Sequence, residues 1–220
     1  MSNSELVIDY YTDILCVWAW IAQKRIEELN KHFGNKIRFR PLYVDIFGCT
    51  SKKMEAQWAA KGGFDGFGQH VVDSASAFED APVNQKIWCQ VKPTTSANAH
   101  IMIKAVEDTY SQQTAIDLAL SFRQAFFRDA IDISNLCILE RLVKEQGLDF
   151  TPVRESIDNG HAISLLMHDY QQAKQFGIKG SPSYVLDGGR QTLFGNVGYR
   201  VLQANIEELL KKPESEASWC

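Results

Sequence analysis

The sequence has no C-x-x-C pair, no Cys/His grouping at zinc-finger spacing, no dense basic cluster, and no apolar run near the ~20 residues of a membrane span. The five cysteines, Cys16, Cys49, Cys89, Cys137 and Cys220, are odd in number and widely spaced, and Cys137, between apolar residues of a helical stripe, reads as core. A disulfide scaffold and a structural zinc site are disfavoured, and no metal is expected. A cysteine that works here works as a thiol in a reducing compartment. Lys and Arg number 23 against 27 Asp and Glu, a formal charge of −4. Nothing stands ready to neutralise a run of phosphates, so nucleic acid is not an expected partner. Met1-Ser-Asn-Ser-Glu5 has neither the basic n-region nor the apolar h-region of a secretory leader. The expectation is a soluble, cytoplasmic protein with no membrane partner.

What is present is ordinary globular material: 220 residues, 45% apolar and 23% charged. That length suits one large domain, or a small one carrying a substantial insertion. Leu6 to Tyr11 is a short apolar run that fits a buried strand. Trp18, Ile21, Ala22, Ile26, Leu29 and Phe33 fall at helical spacing and stop at Gly34. Ile37 to Leu42 alternates again, completing strand, helix, strand, which closes into a parallel pair with a right-handed crossover. From Ala99 onward only helical stripes follow: Met102, Ile103, Val106 and Tyr110; Leu118, Ala119, Phe122 and Phe126; Leu136, Leu139 and Val143; Ile163, Leu166, Met167 and Tyr170. Between Ser51 and Thr94 the signal is weaker, with a helix near Lys52–Lys61 and then glycines 62, 63, 66 and 68, which read as a loop or a flap. Strand pattern returns at Ser183–Leu186 and Gln191–Phe194 around Asp187-Gly-Gly, a hairpin signal, and Leu202, Ile206, Leu209 and Leu210 form a last helix. Residues 1–48 and 177–211 therefore form an α/β unit, residues 49–176 an inserted helical domain, and residues 212–220 a flexible tail.

Two places carry chemistry. In Asp13-Ile-Leu-Cys16-Val-Trp-Ala19-Trp20 the cysteine opens the first helix, where unpaired N–H groups and the macrodipole favour thiolate. Cys16 is the best nucleophile of the chain, or else a small buried hydrophobe. In Gly180-Ser181-Pro182 a proline opens a strand. A cis Ser181-Pro182 bond would present the carbonyl and N–H of Ser181 to an extended ligand, whereas a trans one merely starts the strand.

Taken together, these residues resemble the DsbA-like thioredoxin family, which includes 2-hydroxychromene-2-carboxylate isomerases and class kappa glutathione transferases. The resemblance spans residues 5–211 and rests on Asp13-x-x-Cys16-x-Trp-x-Trp20, on Gly180-Ser-Pro-Ser-Tyr-Val, on Gly195-Asn-Val-Gly-Tyr199, and on Ala99-His100. It implies a thioredoxin fold with a large all-helical insertion between its βαβ and ββα halves. One departure stands out: oxidative members carry C-x-x-C, but here Ala19 takes the second position, while the isomerases and kappa transferases usually have Ser where Cys16 stands.

The resemblance implies glutathione as co-substrate and no metal. Ser181 and Pro182 would pair with its backbone, Trp18 would flank it, and Asn196, Gly198 and Tyr199 at the last helix would receive its γ-glutamyl carboxylate, with Arg200 as a further candidate or a solvated charge. Cys49 is a candidate resolving thiol. His100 reads as an acid or base, or as an interdomain hydrogen bond. Three functions remain open: a monothiol oxidoreductase acting through Cys16, a glutathione-dependent isomerase or transferase on a small aromatic or electrophilic substrate, and a non-catalytic binding module. Homodimerisation is common among such relatives.

Overall fold

The computed structural model describes residues 5–211; Cys220 and the expected tail lie outside them. Leu6–Thr12 (β1) is the central strand of a four-stranded sheet ordered β2-β1-β3-β4, in which Ile37–Tyr43 (β2) is parallel to it and Ser183–Leu186 (β3) antiparallel. Gln191–Phe194 (β4) closes the hairpin on β3, and Leu186 pairs with Gln191. Between them Asp187, Gly188 and Gly189 take φ of 50°, 62° and 104°, the left-handed region that Asp and Gly tolerate best. Pro41 sits in β2, an edge strand, where a missing N–H is tolerated.

Side chains alternate across β1 and so divide the core. Ile8 and Tyr10 pack with Ile26 and Leu29 of α1 (Val17–Phe33) and with the final helix through Leu202 and Ile206, while Tyr11 faces Leu42, Val44 and Ala173. α1 stops at Gly34, whose φ of 57° suits glycine. The insertion holds α2 (Thr50–Trp58), α3 (Gly63–Ala75), α4 (Ala97–Thr109), α5 (Gln112–Arg123), α6 (Leu136–Glu145), α7 (Phe150–Asp158) and α8 (His161–Gln175), and α9 (Tyr199–Leu210) ends the chain's described part. α4 is the hub of this block, packing on α5, α7 and α8. The segment Ile14–Trp20 belongs to the same cluster as Phe67, Trp88, Phe126 and Phe127, so the start of α1 is held against the helices. Trp20 stacks on Phe127 with ring centroids 5.8 Å apart and donates Nε1–H to the Pro82 carbonyl at 3.1 Å. Among the described residues no helix is long and apolar enough to cross a membrane.

Three expectations need correction. The glycines read as a loop or flap lie instead at the start of α3: the expected first helix ends early, at Trp58, and the chain turns through Gly62 and Gly63 (φ 91° and 60°) into a second one. Gly66 is there because a Cβ would overlap the Lys61 carbonyl, and the Cβ of any residue at 68 would lie 3.0 Å from the Ile87 carbonyl. Gly66→Ala should therefore cost about 3 kcal/mol of unfolding free energy. An unchanged urea midpoint would show that this close approach does not constrain the helix. Second, Tyr110, Leu136, Ile163 and Met167 are substantially exposed, at 40%, 55%, 38% and 39%. In α8 the inward face runs through Ala162, Leu166, Asp169 and Ala173 instead, because buried Asp169 accepts from Tyr43 N and pairs with Lys104. Third, Cys137, read as core, is exposed: α6 buries Leu139, Leu142 and Val143, and residue 137 lies across the helix from 139.

Candidate active site

Four residues, Asp13 to Cys16, connect β1 to α1, and one carboxylate shapes the turn. Asp13 Oδ1 accepts from Leu15 N (3.0 Å), and Oδ2 accepts from Phe47 N (2.8 Å) and Ser96 Oγ (2.9 Å). The turn is thereby tied to the segment after β2 and to the start of α4. Asp13 N donates to Ser181 Oγ at 2.9 Å, and Ile14 N donates to His100 Nε2 at 3.1 Å. The segment after β2, the start of α4 and the Ser181 turn thus meet the β1–α1 turn around one buried acid.

Cys16 is the N-cap residue of α1, with extended backbone (φ −82°, ψ 117°). Its thiol donates to the Ser181 carbonyl at 3.0 Å, and the Ser181–Pro182 peptide is cis. Cys16, Ser181 and Pro182 are brought together at one end of the sheet. The expected lowering of the thiol's pKa is not what the site produces. Burial pushes the Cys16 thiol up, because only 6% of the residue is exposed. The Ser181 side chain and the N–H groups of Ala19 and Trp18 favour thiolate, but they are outweighed, and the charge of Asp13 adds to the rise. Cys16 is thus a hydrogen-bond-donating thiol.

Burial likewise raises Asp13 from an ordinary 3.8 to about 6 despite its three donors and the field of Arg123. His100 is fully buried, and burial together with Arg123 pushes it down to about 3. Its Nε2 accepts from Ile14, so the proton sits on Nδ1, 3.4 Å from the Tyr170 hydroxyl. Nε2 also lies 3.9 Å from Asp13 Oδ1, but a neutral imidazole makes no ion pair there. His100, with the Tyr43 ring tilted against it at a centroid distance of 4.6 Å, is placed as a hydrogen-bonding strut rather than a proton carrier at neutral pH.

The other candidates fall around this centre or away from it. Trp18 is half-buried against the helical core. Gly198 is the N-cap of α9, followed by half-buried Tyr199 and exposed Arg200, and the exposed Asn196 Oδ1 accepts from Arg25 Nη1 of α1. Cys49 is an exposed free thiol at the N-cap of α2, 3.5 Å from Ser51 Oγ. The Ser51 hydroxyl and the Lys52 N–H lower its pKa. Trp58, Phe64, Phe67 and Trp88 join in an aromatic cluster whose centre, Trp88, is wholly buried. Among the described residues no His, Cys, Asp and Glu group could hold a metal ion.

Two charged residues escaped sequence reasoning. Lys53, half-buried with Nζ 5.0 Å from the Phe47 ring centroid, is pulled down by burial and held up by Asp13 and Cys16. Arg123 is buried and donates to Thr12 Oγ1 at 2.7 Å. They lie on α2 and α5, where a lone charged residue carries no sequence signal of its own.

Cys16 at the start of α1 thus faces the residue that precedes Pro182 at the entry to β3. The DSBA-like thioredoxin domain matches residues 7–207, which include every candidate residue from Cys16 to Arg200. The chain belongs to the DSBA-like thioredoxin family. Its α/β sheet with a helical insertion is that family's fold, shared with solved structures of low identity. A Nitrosomonas europaea chain assigned as a protein disulfide isomerase is 20% identical with a TM-score of 0.71, covering 98% of this chain and 100% of that one. The cytosolic disulfide reductase DsbM from Pseudomonas aeruginosa is 15% identical with a TM-score of 0.67 (96% and 98% covered), and it has also been solved with GSH. A 2-hydroxychromene-2-carboxylate isomerase is 15% identical with a TM-score of 0.63 (96% and 100% covered). At such identities the likeness is one of fold. A comparison with curated proteins finds no match. The solved structures that share this fold include oxidoreductases and an isomerase.

Proposed function

We propose that the chain is a glutathione-linked thiol oxidoreductase that uses Cys16 as a single nucleophile. The observation that carries this is the Cys16 sulfur lying 3.0 Å from the Ser181 carbonyl at the start of α1, with Ala19 where a second cysteine would stand. An incoming disulfide would pair with the Ser181 backbone and displace the thiol's hydrogen bond. Loss of the thiol proton to solvent leaves a thiolate supported by the Trp18 and Ala19 N–H groups and by Lys53. The thiolate attacks one sulfur of the disulfide; an S–S bond forms to Cys16 and the other half departs as thiolate. Attack by a glutathione thiolate on the mixed disulfide then returns Cys16, so the cycle needs no second cysteine in the protein.

Glutathione would lie along Ser181 and Pro182 with Trp18 beside it, its γ-glutamyl carboxylate at the α9 N-terminus by Asn196, Gly198, Tyr199 and Arg200, where helix N–H groups suit an anion. The GSH-bound DsbM neighbour supports this ligand, and its cytosolic setting supports a reducing cytoplasm for this chain.

A second reading is favoured by the raised Cys16 pKa. A neutral thiol can donate a hydrogen bond to the glutathione thiolate, leaving that thiolate to add to, and be expelled from, an electrophilic substrate in an isomerase or transferase cycle. Exposure to glutathione disulfide with site-resolved mass spectrometry tests the first reading. In a Cys49→Ser chain, which removes the more exposed thiol, Cys16 should carry a +glutathione adduct that free glutathione reverses. An unmodified Cys16 under those conditions would rule the nucleophile out and leave the second reading or a non-catalytic module.

A further inference from the structure

A cavity of about 580 Å³ opens between β1, β2, α1 and α5, and neither Cys16 nor the Ser181–Pro182 turn lines it. Its volume falls within the ~300–1,000 Å³ of ordinary small-molecule sites. The walls are largely apolar, with Ile26 from α1, Ile37 and Phe39 from β2, and Ile116 and Leu120 from α5. The rim is polar and exposed, through Asn30, Gln113, Glu27 and Asp117.

The inner wall carries a charge that nothing neutralises at contact distance. Arg123 is 4% exposed, and its Nη2 donates to Thr12 Oγ1, but its Nε–H has no partner among the described residues. No carboxylate among the described residues lies within 4.0 Å of the guanidinium. Asp13 feels its field, yet the Asp13 oxygens are occupied by Leu15, Phe47 and Ser96. A guanidinium does not shed its proton, and burying one without an anion is unfavourable. Thr12 can supply a neutral acceptor, not a counter-charge. The fork of the guanidinium matches a carboxylate bidentately.

We infer that this cavity binds a small aliphatic monocarboxylate, with its carboxylate on Arg123 and its chain along the wall formed by Ile26, Phe39, Ile116 and Leu120. One negative charge matches one buried cation, whereas a dianion would place its second charge toward Glu27 and Asp117 at the rim. The site is spatially separate from the Cys16–Ser181 pair, neither of which lines it, while the field of Arg123 reaches Asp13 beside them.

Octanoate and octanamide, titrated calorimetrically against the full chain, are the probes. Octanoate should bind at least about tenfold tighter than the amide, because the charge-assisted fork is the difference between them. Arg123→Gln should remove that preference. Because Arg123 is also bonded to Thr12, its loss can unfold the protein. Ile116→Trp, at a half-buried position on the wall, fills the cavity without touching the guanidinium and should weaken octanoate by about tenfold or more while thermal unfolding stays cooperative. Equal affinity for acid and amide would overturn the role of Arg123. Unaltered octanoate binding by Ile116→Trp would place the ligand elsewhere, and no binding up to about 10 mM would remove the site altogether.

Discussion

A Cys16→Ser chain should lose glutathione–disulfide exchange by about 10³-fold or more while keeping its fold. The fold is spared because serine is nearly isosteric and its hydroxyl can make the same hydrogen bond to the Ser181 carbonyl that the thiol makes at 3.0 Å. The Asp13, His100 and Ser96 contacts that shape the turn do not involve the sulfur. Exchange is lost because an alcohol forms no mixed disulfide, and Ala19 offers no neighbouring thiol to take over. The same variant divides the two enzyme readings. If the working role of Cys16 is to donate a hydrogen bond to glutathione's thiolate, the serine chain keeps glutathione-dependent turnover of an electrophilic substrate. Exchange that survives in Cys16→Ser and disappears only when Cys49 is also replaced would transfer the nucleophile's role to Cys49, which is exposed and has a lowered pKa.

Much of this fold is readable locally. β1, α1, β2 and the β3–β4 hairpin lie where short apolar runs, a helical stripe ended by Gly34 and an Asp-Gly-Gly turn put them, because each is set by periodicity and turn chemistry within about ten residues. α3 is not readable that way. Glycine is a poor helix former, and here it is required by a close approach to the Lys61 and Ile87 carbonyls that only the folded chain creates. The inward face of α8 departs from its apolar stripe for a related reason: buried Asp169 occupies an inward position that an apolar stripe does not reveal. At the site, Cys16 and Ser181-Pro182 announce themselves by residue type and place. The importance of Asp13 does not, since its partners Phe47 and Ser96 are 34 and 83 residues away and neither is a residue that signals chemistry. Lys53 and Arg123 are hidden in the same way, as charges on otherwise amphipathic helices.

Asp13 gives the largest pH effect expected on stability. Its pKa in the folded chain is about 6, against an ordinary 3.8, because burial outweighs the hydrogen bonds from Leu15, Phe47 and Ser96. A raised carboxyl pKa means that the native state holds the proton more tightly than the unfolded chain does between those two values. The resulting stabilisation is complete below about pH 4 and is lost as pH rises through about 6. The difference of roughly two units corresponds to about 3 kcal/mol. Asp13→Asn cannot ionise, so the difference in unfolding free energy between the two chains, measured by urea denaturation from pH 4 to 7.5, should move by about that amount in favour of the variant as pH rises. Its offset favours the native chain at low pH, where an amide nitrogen replaces one of the oxygens facing the Phe47, Ser96 and Leu15 donors. A difference that stays flat across this range would mean that Asp13 titrates near its unfolded value and that burial does not set its charge. The same substitution has a consequence at the sulfur. The charge of Asp13 is one of the influences holding the Cys16 thiol up, so a neutral residue there should raise the thiolate fraction and speed alkylation of Cys16 at neutral pH.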